Sequence, residues 1–96
     1  MTERAMTEHD FQRKLAAAET LAGMAQNSGE YNFWVGYMRG LRRFHYGEKF
    51  GMDEDHSHLM AAYDSSYQVE KMLGIGYRAG LAGQDIRQAN FSVSST

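Results

Sequence analysis

From Thr7 onward, apolar residues return every third or fourth position, the period of a helix with one buried face. Phe11, Leu15, Ala18, Ala22 and Ala25 form the first such stripe, with Leu21 and Met24 beside it. Thr7 is a suitable N-cap, with Asp10 in the capping-box position three residues on. Asn27-Ser28-Gly29 supplies the termination chemistry for this first helix. A second helix is predicted from about Glu30 to Tyr46, its apolar side made of Phe33, Tyr37, Gly40, Leu41 and Phe44, with Gly47 as C-cap. Trp34 and Met38 flank that stripe, and Arg39, Arg42 and Arg43 fall on the other side. The loop Gly47 to Asp53 brackets Phe50, expected to plug the edge of the core. Asp53 or Asp55 then caps a short third helix through Leu59, Met60 and Tyr63. Asp64-Ser65-Ser66 breaks it and caps a fourth, about Tyr67 to Ala82, carrying Val69, Met72, Leu73, Ile75, Tyr77 and Leu81, with Gly83 ending it. One more turn around Ile86 is expected in the tail. No stretch alternates as a strand does. The expected fold is therefore all-α: a compact bundle of about four helices in a single domain over residues 1–96, frayed at about 1–6 and 90–96.

One phrase is written twice. Gly36-Tyr37-Met38-Arg39-Gly40-Leu41 returns as Gly76-Tyr77-Arg78-Ala79-Gly80-Leu81, 40 positions later. Both copies lie inside predicted helices, where each glycine costs about 1 kcal/mol relative to alanine. Residues four apart share a helix face. Gly36 with Gly40, and Gly76 with Gly80, thus open a groove on their helices through which another backbone can approach. Tyr37 and Tyr77 frame the two grooves. The spacing predicts two helical hairpins, residues 7–46 and 53–82, joined as related halves through their second helices. A phosphate loop at Gly74 to Gly80 is the rival reading. It has no preceding strand, and its spacing matches neither the dinucleotide nor the P-loop pattern.

Composition narrows the chemistry. The chain is 43% hydrophobic and 23% charged, as soluble globular domains are. It has no cysteine, which excludes disulfides and thiolate metal sites, and no proline to interrupt its helices. The apolar runs are too short to span a bilayer, and the charged N-terminus lacks the apolar centre of a signal peptide. A cytoplasmic protein is expected. (Met6 opens a second Met-Thr-Glu, an alternative start.) A net charge of −2 supplies no global attraction to nucleic acid.

Three local constellations remain. His45, Glu48, Asp53, Glu54, Asp55, His56 and His58 are the only dense set of imidazole and carboxylate groups, a chemistry suited to zinc, iron or manganese. His56 and His58 point apart on a helix, and acids at a helix start are favoured by its dipole without any metal. No cofactor and no metal is expected. Arg39, Arg42 and Arg43, with Lys49 nearby and Trp34, Phe44 and Tyr46 available for stacking, form a basic face suited to phosphate or carboxylate. The plainer account pairs these arginines with Glu48, Asp53, Glu54 or Asp55 across the loop. Six tyrosines, one tryptophan and seven methionines are the residue types of gripping surfaces, and of cores. No serine sits in a strand–turn–helix elbow, and nucleophilic catalysis has no support.

The run Phe33 to Gly51, "FWVGYMRGLRRFHYGEKFG", resembles small uncharacterised proteins carried by phages and mobile elements of Gram-negative bacteria. By class, a small cysteine-free protein of that setting resembles anti-CRISPR proteins. The resemblance implies a non-enzymatic inhibitor that binds a host defence complex in the host cytoplasm, a Cas subunit for example. Expected partner contacts are Asp53, Glu54 and Asp55, mimicking phosphates, together with Arg39, Arg42, Arg43, Trp34 and Tyr46. The alternatives are a nucleic-acid-binding regulator using Arg39, Arg42, Arg43 and Lys49, and a metal-binding protein at His45, Glu48, His56 and His58. Homodimerisation fits each of them.

Overall fold

Four stretches of strong helix formers, each ended by glycine or a polar turn, fold as four helices in the computed structural model, which describes residues 6–47 and 51–86. They are α1 (Glu8–Gly23), α2 (Ser28–Tyr46), α3 (Asp53–Ala62) and α4 (Gln68–Leu81), with no strand among the described residues. The protein is an all-α bundle. Residues 1–5, 48–50 and 87–96 lie outside the description, and with them Glu48, Lys49, the Phe50 plug and most of the two ends expected to fray.

Thr7 caps α1, its hydroxyl accepting the Asp10 amide at 3.0 Å. The boundary after α1 differs from the expectation. The helix stops at Gly23, and Asn27 begins the next helix instead of ending this one. Asn27 Oδ1 accepts the Glu30 amide at 2.8 Å, and Glu30 Oε1 reaches back to the Gln26 amide at 3.1 Å. Two amide donors at the start of α2 are thereby satisfied by side chains only three residues apart. Asn27→Ala removes the first of these bonds and is expected to cost about 1 kcal/mol. Thermal unfolding checks it: a midpoint lowered by about 4–8 °C is expected. An unchanged midpoint contradicts the capping role. Gly47, at φ +99°, closes α2, and its amide donates to the Arg43 carbonyl at 2.8 Å. Gly83, at φ +71°, ends the turn after α4.

The start of α3 is another correction. Met52 occupies the N-cap and no side chain caps it, so Asp53 and Asp55 stand within the first turn instead of before it. Nor does Asp64-Ser65-Ser66 provide the N-cap of α4, which is Tyr67. Ser65 acts one step earlier, accepting the Tyr67 amide at 3.0 Å and donating to Glu70 at 2.9 Å. Ile86 lies outside any helix but packs on the core.

The helices pair as two antiparallel hairpins, α1 on α2 and α3 on α4. Glu8 meets His45 at one end of the first, and Met60 meets Arg78 along the second. The dominant seam joins α2 to α4, and they run parallel: Gly36 faces Leu73 and Tyr77, and Gly40 faces Tyr77 and Leu81. The reciprocal contacts sit 40 residues away. Gly76 faces the Phe33 carbonyl and Tyr37, and Gly80 faces the Tyr37 carbonyl and Leu41. A pseudo-two-fold axis thus runs along the seam, relating α2 to α4 and placing the N-caps Asn27 and Tyr67 at matching positions. At all four glycines a Cβ would stand on the opposite backbone, so the hydrogen in its place points at a carbonyl or amide of the facing helix.

The two hairpins are closed differently. The first holds the larger core, where Phe11, Ala18 and Ala22 of α1 cluster with Phe33, Trp34, Tyr37 and Leu41 of α2 and with Met72 of α4. In the second, Gly74 occupies the place equivalent to Trp34, and its missing side chain admits the Ala62–Tyr63 backbone. Some expected core positions are exposed. Met24 lies past the last turn of α1, and Val69 lies on the first turn of α4, where its carbonyl accepts from Asn32 of α2 at 3.1 Å while the residue stays exposed. Lys14 takes a buried place on α1, with its ammonium 3.5 Å from Asp10.

Candidate functional site

Arg39, Arg42 and Arg43 are spaced i, i+3, i+4, so α2 carries them on neighbouring positions of one face. The seam fixes that face outward, because Gly36, Tyr37, Gly40 and Leu41 point into the bundle. Opposite stands the start of α3. Together they bound a cleft of about 290 Å³ lined by the three arginines, Gly51, Met52, Asp55, His56, Leu59 and Tyr77. A second hollow of about 520 Å³ shares Arg43 and His56 and continues to Phe44, Gly47 and Leu81.

The arginines have different surroundings. Arg43 is largely enclosed, and its guanidinium lies 3.7 Å from Asp53, whose own side chain is 97% exposed. A pair with one partner so open to water is worth about 0–1 kcal/mol. Among the described residues, the acidic segment thus meets the arginines at Arg43, while Arg39 and Arg42 show no such contact. Asp53, Glu54 and Asp55 all remain exposed at the amino end of α3, where the helix dipole favours them.

Across the cleft, His56 Nδ1 and the Tyr77 hydroxyl are 2.6 Å apart. Burial pushes the Tyr77 hydroxyl above the ordinary tyrosine range, with Arg43 pulling weakly the other way, so the phenol keeps its proton. Its counterpart Tyr37 is raised more strongly, chiefly by burial and then by the charge of Asp85, and donates to the Gln84 carbonyl at 2.6 Å. The repeated tyrosine thus does two things in each half: its ring fills the seam and its hydroxyl ties down a segment outside it.

The imidazole and carboxylate groups do not gather. His45 sits at the far hairpin, stacked on Phe11 at 4.1 Å between ring centres and 2.9 Å from Glu8. The Glu8 carboxyl is held below its usual range, first by its bond to Gln12 and then by His45. His56 is engaged with Tyr77, and His58 is exposed. Among the described residues no three such groups are placed to hold a metal.

Trp34 needs correcting. Expected as an exposed aromatic of a binding face, it is 2% exposed, edge-on to Phe33 and Tyr37. Tyr46 is 53% exposed and extends the ridge of Arg39 and Arg42 by one more turn. The cations of α4 serve its own hairpin. Arg78 donates to the Met60 carbonyl and stacks on the Tyr63 ring, and Lys71 donates to the Tyr63 carbonyl, satisfying the carboxyl end of α3. Both are thereby engaged with the end of α3, although Arg78 remains exposed. The glycines of α4 are likewise inside a helix, Gly76 and Gly80 covered by α2 and Gly74 by the Ala62–Tyr63 backbone, so Gly74 to Gly80 forms no phosphate loop.

The His56–Tyr77 couple and the Leu59 and Met52 walls were not read from sequence as parts of a site. No helical spacing links residue 56 to residue 77, and only the α3–α4 turn brings them together.

No helix among the described residues is long and apolar enough to cross a membrane. Comparison of the chain with protein-family models, with curated proteins and with solved structures finds no match.

Proposed function

We propose that the protein works by binding a protein partner, without chemistry of its own, through the face shared by α2 and the start of α3. One observation carries the reading: Arg39 and Arg42 line one cleft with an exposed Met52 and Asp55, with Asp53 and Glu54 exposed at the same helix start and Tyr46 exposed one turn further along α2. Arginine, tyrosine and methionine are the residue types enriched in protein interfaces, and the adjoining charges of both signs set orientation and exclude wrong partners. The seam glycines and Trp34 are committed to the interior and serve only to hold this face. The partner we favour is a subunit of a bacterial defence complex such as CRISPR–Cas. That finer step rests on the resemblance of residues 33–51 to phage and mobile-element proteins. The three acids are too short a run to imitate a long duplex, so they dock against a local basic patch.

The test is capture of partners by the tagged chain from a nuclease-treated lysate of a bacterium carrying a CRISPR–Cas system. A stoichiometric Cas subunit is expected. Replacing Asp53, Glu54 and Asp55 by lysine, or Arg39 and Arg42 by glutamate, is expected to abolish its recovery. Nucleic acid recovered before nuclease treatment, with no protein after it, contradicts the reading and favours a nucleic-acid regulator.

A further inference from the structure

We propose that the cleft between the carboxyl-terminal half of α2 and the amino end of α3 is a binding site for a phosphate monoester, held by Arg39, Arg42 and Arg43 with the His56–Tyr77 couple. This goes beyond protein binding and does not depend on it.

The cations of the described residues divide into two groups. Arg13 and Lys14 meet Asp10, Lys71 meets the Tyr63 carbonyl, Arg78 meets the Met60 carbonyl, and Arg43 approaches Asp53. Arg39 and Arg42 have no acceptor among the described residues, yet both line the cleft. Three guanidinium groups at i, i+3 and i+4 repel one another, and an anion between them relieves that repulsion. Each offers a planar fork of donors.

The opposite wall adds a neutral donor. His56 Nδ1 and the Tyr77 oxygen share one hydrogen bond. If tyrosine donates, the imidazole keeps its Nε2 hydrogen. If the imidazole donates, tyrosine keeps its hydroxyl hydrogen. Either way one donor of the couple is left over, and both members line the cleft.

A phosphate fits better than a carboxylate. It brings nearly two charges and three strong acceptor oxygens to a site with three cations, whereas a carboxylate satisfies one fork. Asp55 also lines the cleft and Asp53 stands at its rim. Their repulsion grows with the charge of the ligand, as does the attraction of the guanidinium groups, and three cations outnumber two acids. The volume of about 290 Å³ is at the small end for ligand sites, enough for a phosphate and a compact attached body. Leu59 and Met52 give that body an apolar wall.

The experiment titrates inorganic phosphate, adenosine 5′-monophosphate and adenosine into the full chain labelled with ¹⁵N, at low salt. Backbone amide and arginine Nε resonances are followed. Saturable shifts at Arg39, Arg42, Arg43 and Gly51 to His56 are expected with phosphate and the nucleotide, and none with adenosine. Replacing Arg39 and Arg42 by glutamine is expected to weaken the nucleotide about tenfold or more without altering the melting curve, as both lie on the outer face. Shifts that never saturate, or that fall elsewhere, overturn the proposal, and the map on the unaltered chain needs no variant to show it. Oligothymidylate binding with a steep salt dependence, while the mononucleotide stays unbound, overturns it in favour of a nucleic-acid surface. Binding of hexaglutamate but not phosphate overturns it in favour of acidic protein segments.

Discussion

Gly76→Ala is expected to lower stability by about 3 kcal/mol, at the upper end of what overpacking costs. Its midpoint should fall by about 12–24 °C. The Cβ would stand on the Phe33 carbonyl oxygen and 3.0 Å from the Tyr37 amide. Both are backbone atoms of a helix, and no rotamer change can move them aside. The two helices must separate along the whole seam, loosening the contacts made by Tyr37 and Leu41, which are fully buried. The gain in helix propensity on replacing glycine by alanine, about 1 kcal/mol, offsets only part of this. The pseudo-two-fold axis adds a second requirement. Gly36→Ala places its Cβ on the Leu73 carbonyl, the matching contact, and should cost about as much. Gly40→Ala and Gly80→Ala form another matched pair. Gly23→Ala is the control: nothing lies within 4 Å of its Cβ, so it should be neutral or stabilising by up to about 1 kcal/mol. Calorimetry or denaturant unfolding of the five variants checks the set. If Gly76→Ala melts with the parent, the close parallel seam is wrong.

That seam explains how much of the fold could be read from sequence. Helical period and turn residues act locally, so four helices and both hairpins were legible from the apolar stripes and from Gly47 and Gly83. The repeated Gly-Tyr-x-x-Gly-Leu pointed to a glycine seam, because its costly glycines need a partner backbone. Their common direction was not legible. A groove on a helix face accepts a parallel or an antiparallel neighbour, and only the pairing of residue 36 with 73 and 77 decides it. Capping was partly misread for a physical reason. Asn27 ends or begins a helix equally well in isolation, and the acids of α3 fit both N-cap and first turn. The candidate site was half legible. The arginine face follows from spacing, while its far wall depends on an α3–α4 contact that no local pattern encodes. Lys14 was missed because its ammonium reaches Asp10 while its alkyl stem fills a place on the buried face.

Trp34→Ala is expected to cost about 3–5 kcal/mol, the range for deleting a large buried aromatic. Trp34 faces no solvent, at 2% exposed, and belongs to the same cluster as Ala18, Ala22 and Phe33. Those alanines cannot grow into the space it leaves, so the cavity persists and α1 loses its support on α2. Burial of this kind distinguishes a core residue from an interface anchor. An anchor replaced by alanine leaves folding intact and weakens the partner; Trp34→Ala should lower the unfolding midpoint before any partner is added. The chain has one tryptophan, so its fluorescence reports this position alone. In the native protein the emission should be blue-shifted and resistant to acrylamide quenching, and it should shift to the red in step with helix loss during unfolding. Native emission typical of a water-exposed indole, or a Trp34→Ala variant as stable as the parent, would return this residue to the surface. It would also remove the packing that holds Arg39 and Arg42 outward on the next turns of α2.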